Sequence, residues 1–251
     1  MRETADHLAA WLLDRVGITD PPPIDLGELA RRMGIASITD APMVEDGRLE
    51  QRDGKATVYV RSDLSGGRRQ FTIAHELAHR LLLHPSAPAI AYRRRLNGDE
   101  VERLCDDIAA AILLPRSWVE AEFAASPLRL KTLRRMAAMS STSLSASLVR
   151  LREVQRWPQS LLRFSYYADR WRLSAPAGVP GTMHGQLRSS AQTNEVLTDT
   201  GARTSSDVLT TLPIQVADSK LMFQAEVSVR HSSAVALLDL SSGREMEPLN
   251  C

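Results

Sequence analysis

Cysteine is nearly absent. Only Cys105 and Cys251 occur in 251 residues, so the chain has no disulfide framework. It also lacks a long apolar run. Met1 to His7 lead into a helix that carries Asp14 and Arg15, so neither a signal peptide nor a membrane span is expected. No excess of one charge is present, since the formal net charge is +1, and no internal repeat is evident. These absences, with an ordinary apolar content, describe a soluble, globular, cytoplasmic chain long enough for one large or two to three small domains.

What is present is His75-Glu76-Leu77-Ala78-His79, an H-E-x-x-H motif. Residues four apart lie one above the other on a helix, so two imidazoles can share one metal ion. Glu76 sits beside them, where it can take a proton from water. Phe71, Ile73, Ala74, Leu77, Ala78, Leu81 and Leu82 recur at helical spacing, which places the motif on a largely buried amphipathic helix. A buried His pair with no task would carry a desolvation cost.

A catalytic zinc needs a third protein ligand and one open position. The arrangement with a third His six residues on fails, because positions 82 and 85 are Leu and Pro; His84 suits a C-terminal helix cap instead. The alternative is a carboxylate on a following helix, residues 99–114, ended by Pro115. There Glu102 and Asp106 share one edge of the apolar face, so one can bind metal while the other orients a ligand His. Glu100 competes but lies on a different face from Asp106. Cys105, on the same helix, reads either as a small buried hydrophobe or as a thiol sensitive to redox or metal.

Three segments resemble the ImmA/IrrE family of zinc metallopeptidases: Arg69 to His79, Glu102 to Pro115 and, more weakly, Pro23 to Ile35. The resemblance spans about residues 5 to 155. It implies His75, His79 and Glu102 as zinc ligands and Glu76 as general base, with manganese as an alternative metal. Asp106 stands where Asn is commoner, and Cys105 where Ala is; a carboxylate accepts an imidazole N–H at least as well as an amide. Members of the family cleave helix-turn-helix repressors of the XRE type and so switch on stress or mobile-element genes. The resemblance therefore implies such a repressor as partner.

The expected fold is α+β: a zincin-like metallopeptidase domain (1–124), a helix-turn-helix-like helical segment (125–157) and a small β-rich domain (158–251) of sensor or regulatory type. Helices are expected over 5–16 and from Asp25 to Met33, a strand over 35–39, and a hairpin from 48–51 and 56–60 around Asp53-Gly54. The strand holding Val58, Tyr59 and Val60 is placed either to bind an extended peptide by edge addition or simply as one strand of a sheet. The helical segment carries Arg129, Lys131, Arg134, Arg135, Arg150, Arg152 and Arg156 against one acid, Glu153. It could bind DNA phosphates, dock an acidic partner or face solvent; Ser143 to Ser147 offer no Asn, Gln or Arg for base edges. After Trp157-Pro158 the sequence turns rich in Ser, Thr and Gly. A hairpin (161–174), a helix near 189–197, a strand over 208–216 broken at Pro213 and alternation from Phe223 to Val229 are expected there. In larger family members the corresponding domain resembles a GAF-type sensor.

Tyr92 or an Arg among Arg93, Arg94 and Arg95 could assist the oxyanion. Two rival functions stand beside proteolysis: a DNA- or protein-binding regulator with a structural zinc, and a toxin–antitoxin component acting by binding alone.

Overall fold

A computed structural model describes residues 2–84, 88, 93, 95–174, 176–179, 185–203 and 206–245. The chain divides into two compact units, residues 1–125 with 135–147, and residues 126–134 with 148–251. Among the described residues no helix is long and apolar enough to cross a membrane.

The first unit is built from helices α1 (Arg2–Arg15), α2 (Leu26–Arg32), α3 (Gly66–Leu83), α4 (Gly98–Leu113) and α5 (Arg116–Phe123), with strands β1 (Ile35–Ala41), β2 (Gly47–Arg52) and β3 (Lys55–Arg61). Asp25 caps α2 by accepting the Glu28 N–H at 3.0 Å. Asp53 and Gly54, both at positive φ, form the two-residue turn between β2 and β3. α4 packs against both α1 and α3. Leu8 and Leu12 of α1, Leu77 and Leu81 of α3, and Ile108 and Ile112 of α4 are all buried, because each helix repeats apolar residues along one stripe.

The sheet order is β1-β3-β2, with β1 parallel and β2 antiparallel to β3. This corrects one expectation. The strand holding Val58, Tyr59 and Val60 is the middle one, and its backbone is paired on both sides. Val58 and Val60 are buried in the core, so edge addition of a peptide is not open there. The edge next to α3 is β2.

Helices α6 (Leu130–Ser140) and α7 (Leu144–Gln155) are joined through Ser141, which is at positive φ. Ser143 accepts the Ala146 N–H at 3.1 Å and so caps α7.

The second unit is dominated by a seven-stranded sheet: β4 (Gln159–Tyr167), β5 (Arg170–Leu173), β6 (Leu187–Ser189), β7 (Val208–Val216), β8 (Ser219–Arg230), β9 (Ser233–Asp239) and β10 (Arg244–Glu245). The order is β5-β4-β9-β8-β7-β6, with β10 on β8. Helix α8 (Ala191–Arg203) packs on β7 and β8. Phe164, Leu197, Leu212, Phe223 and Val227 anchor the core. β7 is not broken at Pro213, which pairs with Met222 of β8. The Pro213 carbonyl accepts the Thr193 hydroxyl of α8. The N and C=O of one strand residue point the same way, so the missing N–H also faces α8 and no β7–β8 bond is lost.

Candidate metal centre

The site is formed where α3 and α4 pack. α3 begins in a close approach: a Cβ on Gly67 would meet Ser143 N at 3.0 Å. At its other end His84 is the C-cap, its N–H bonded to Leu81 O at 3.0 Å, as the sequence suggested. α4 begins in a capping box. Asn97 Oδ1 accepts the Glu100 N–H at 3.0 Å, and Glu100 Oε2 accepts the Asn97 N–H at 2.9 Å. That assignment removes Glu100 from the competition for the metal, because its carboxylate closes the helix start.

Glu102, half a turn on, reaches the motif. Its Oε2 lies 3.2 Å from His75 Nε2 and its Oε1 3.5 Å from His79 Nε2. The two Nε2 atoms are 3.1 Å apart. A tetrahedral zinc with bonds of about 2.0–2.1 Å separates its ligand atoms by roughly 3.3 Å. The three donors therefore have the spacing of a metal shell, and their chemistry, two imidazoles and a carboxylate, suits zinc. Glu102 is 59% exposed along its side chain, so the centre opens to solvent.

Asp106 does not join the triad. Its Oδ1 lies 2.9 Å from His75 Nδ1, which fixes the tautomer that leaves Nε2 free to bind metal. Burial alone would lower the His75 pKa; the hydrogen bond and charge of Asp106, with the charges of Glu76 and Glu102, outweigh it and raise the pKa. His79 moves the other way, lowered by burial and then by the charge of His75.

Glu76 is 7% exposed. Burial raises its pKa against the opposing pull of His75 and of a hydrogen bond from the Leu49 backbone N–H. Leu49 belongs to β2, and β2 begins with Gly47. A Cβ on Gly47 would lie 2.5 Å from Thr72 Cγ2 and 2.9 Å from Glu76 Oε1. The edge strand thus touches the Glu76 carboxylate directly. Asp46 pairs with Arg68 beside it, and these residues with Phe71, Thr72 and His75 line a cavity of about 290 Å³. Gly47, Leu49, Asp46 and Arg68 are the site residues that motif reasoning missed. The available signal was a glycine at a strand start close before the metal helix.

Two other expectations concern residues near the same site. Cys105 is fully buried, and its thiol pKa is pushed far above the usual range by burial and then by the charges of Glu102, Asp106 and Glu76. Both effects disfavour the thiolate, which is the reactive form. Tyr92 and Arg94 lie outside the described residues; Arg93 is near enough for its charge to lower the His79 pKa.

The basic residues of 129–156 are largely committed within their own units. Arg135 pairs with Glu122 and Arg134 with Asp207. Arg152 donates to Gln159 O at 2.6 Å, and Arg150, 3% exposed, lies 3.5 Å from Glu153. Four of these seven cations, Arg134, Arg135, Arg150 and Arg152, therefore have partners within the chain.

Residues 30–151 match the family model of peptidase M78, the IrrE N-terminal-like domain. The structure of a Mycobacterium tuberculosis transcriptional regulator superposes with a TM-score of 0.52 over 97% of this chain and 76% of that one, at 19% identity. None of the curated proteins matches. Residues 30–151 of the chain thus carry an IrrE N-terminal-like domain of the peptidase M78 type.

Proposed function

We propose that this chain is a zinc-dependent, site-specific endopeptidase of the cytoplasm, and that its substrate is a transcriptional repressor of the XRE type. The observation that carries the peptidase reading is the conjunction of three metal donors at 3.1–3.5 Å with a buried glutamate next in sequence to one of them. A bound zinc held by His75, His79 and Glu102 would acidify water and polarise a substrate carbonyl. Asp106 keeps His75 oriented. Glu76 accepts the proton of the attacking water and returns it to the leaving amine. The Leu49 N–H holds that carboxylate in place, and the β2 edge offers backbone groups to an extended substrate.

The repressor as substrate rests on the likeness of residues 30–151 to the IrrE N-terminal-like domain. The Mycobacterium tuberculosis neighbour is described as a transcriptional regulator, which suits that setting, although its likeness speaks for the fold alone. The helical pair α6–α7 then serves as a helix-turn-helix-like, substrate-facing segment, and the C-terminal sheet as a regulatory domain. A structural zinc is the weaker reading. Structural sites are closed by four protein ligands, whereas the described residues supply three, with Asp106 turned to His75.

The test is to incubate the zinc-loaded protein and its Glu76→Gln variant with XRE-type repressors of the same organism, and to read fragments by mass spectrometry. One defined cut by the unaltered protein only is expected. Equal cutting by Glu76→Gln would falsify the mechanism, and no cut by either would favour a binding-only component.

A further inference from the structure

The second unit contains a cavity of about 930 Å³ between β5, β6 and the start of α8. Its volume is that of a small-molecule site. Arg170, Arg172 and Arg188 line it, against one acid, Asp169. We propose that this cavity binds a small, soluble phosphate-bearing anion.

The charge pattern is the first argument. Among the described residues none of these three arginines has a carboxylate partner, whereas Arg134 and Arg203 of the same unit pair with Asp207 and Asp199. Arg188 is held at β6 by donating to Gly185 O at 2.7 Å and Leu187 O at 2.8 Å, bonds that position the guanidinium without neutralising it. Arg172 lies 5.4 Å from the Tyr167 ring centroid. Guanidinium groups suit phosphate because their planar N–H forks match its oxygens.

The start of α8 adds donors. Ser190 and Thr193 cap each other reciprocally, at 2.9 and 3.1 Å between backbone N–H and side-chain oxygen. The first helical bond is Asn194 N–H to Ser190 O at 3.1 Å. The N–H groups of Ala191 and Gln192, the first two of a 13-residue helix, have no place in this scheme. Ala191 lines the cavity. Unsatisfied N–H groups and the helix dipole together favour an oxyanion there.

Trp171, 4% exposed, also lines the cavity, while its side chain packs into the core of the second unit on the face of β5 opposite to Arg170 and Arg172. The walls are already tied together: Asn194 Oδ1 accepts the Trp171 N–H, Asn194 Nδ2 donates to Ser190 O at 2.9 Å, and Ser189 donates to Trp171 O at 3.0 Å. Little reorganisation is needed for binding.

The experiment is isothermal titration of the zinc-loaded full chain with inorganic pyrophosphate at low ionic strength, beside the double variant Arg172→Gln with Arg188→Gln and the control Arg203→Gln at the far end of α8. All three arginines are exposed, and unchanged melting temperatures would certify the folds. Saturable binding that the control keeps and the double variant loses by about tenfold or more is expected. Absence of saturable binding at millimolar pyrophosphate would overturn the proposal. So would equal affinity in the double variant, which would put the anion elsewhere, the metal centre included.

Discussion

His75 Nδ1 faces Asp106 Oδ1 at 2.9 Å while His75 Nε2 faces Glu102 at 3.2 Å, so one imidazole joins two carboxylates of one helix in different roles. On the proposed reading, the first would orient the ring and the second would complete a metal shell. Asp106→Ala should lower zinc affinity by about 10–100-fold, as loss of an orienting partner does elsewhere. Asp106→Asn should cost much less, because its Oδ1 still accepts the Nδ1–H. Competition with a chelating dye measures both. Equal losses would show that the carboxylate charge, and not the hydrogen bond, is what counts.

Gly47 is the test of how β2 serves the site. An added methyl must displace Thr72 or the Glu76 carboxylate, given approaches of 2.5 and 2.9 Å. Overpacking of this kind costs about 1–3 kcal/mol. Gly47→Ala should therefore keep its zinc and lose at least about tenfold in cleavage rate. Metal content by atomic spectroscopy and turnover on the repressor would be compared. Unchanged turnover would mean that β2 gives way freely and does not position Glu76.

The candidate metal donors were legible because helical periodicity is local. The i, i+4 pair His75 and His79 and the apolar stripe of α4 can be read without knowing the fold. Even the choice of Glu102 over Glu100 had a sequence signal, since Asn97 and Glu100 have capping-box spacing. What failed was non-local. Sequence order suggests that β3 follows β2 outward, yet the crossover from β1 runs parallel to β3 and leaves β2 at the edge. The basic run from 129 to 156 looked unbalanced because two of its counterions, Glu122 and Asp207, lie outside it. Pro213 looked like a break because the direction of its backbone groups is set by α8, not by its neighbours in sequence.

Cys105 should behave as a core residue. The thiolate is the reactive form, and burial suppresses it. In the native protein at pH 8, iodoacetamide should label Cys105 more slowly than in denaturant by about a hundredfold or more. Peptide mapping by mass spectrometry reads the modification directly. Rapid native labelling would restore the redox-sensing reading of this position.

Glu76→Gln should also change stability, in the direction opposite to activity. Burial raises the folded-state pKa of Glu76 above its ordinary value of 4.5. Below pH 4.5 the carboxyl is protonated in the folded and unfolded chain alike, and it contributes no pH dependence. As pH rises past 4.5 the unfolded chain ionises first, so stability is lost until the folded group also ionises. At neutral pH the glutamate is therefore a liability that glutamine lacks. Gln also retains an oxygen to accept the Leu49 N–H, and His75 keeps Asp106, its principal partner. The metal-free Glu76→Gln variant should melt higher than the metal-free unaltered protein at pH 7, with the gap closing as pH falls toward 4.5. Thermal denaturation across that range, after chelation, measures it. A gap that widens on acidification would mean that the buried carboxylate is stabilised by its neighbours, and that Glu76 is held in place without cost to the fold.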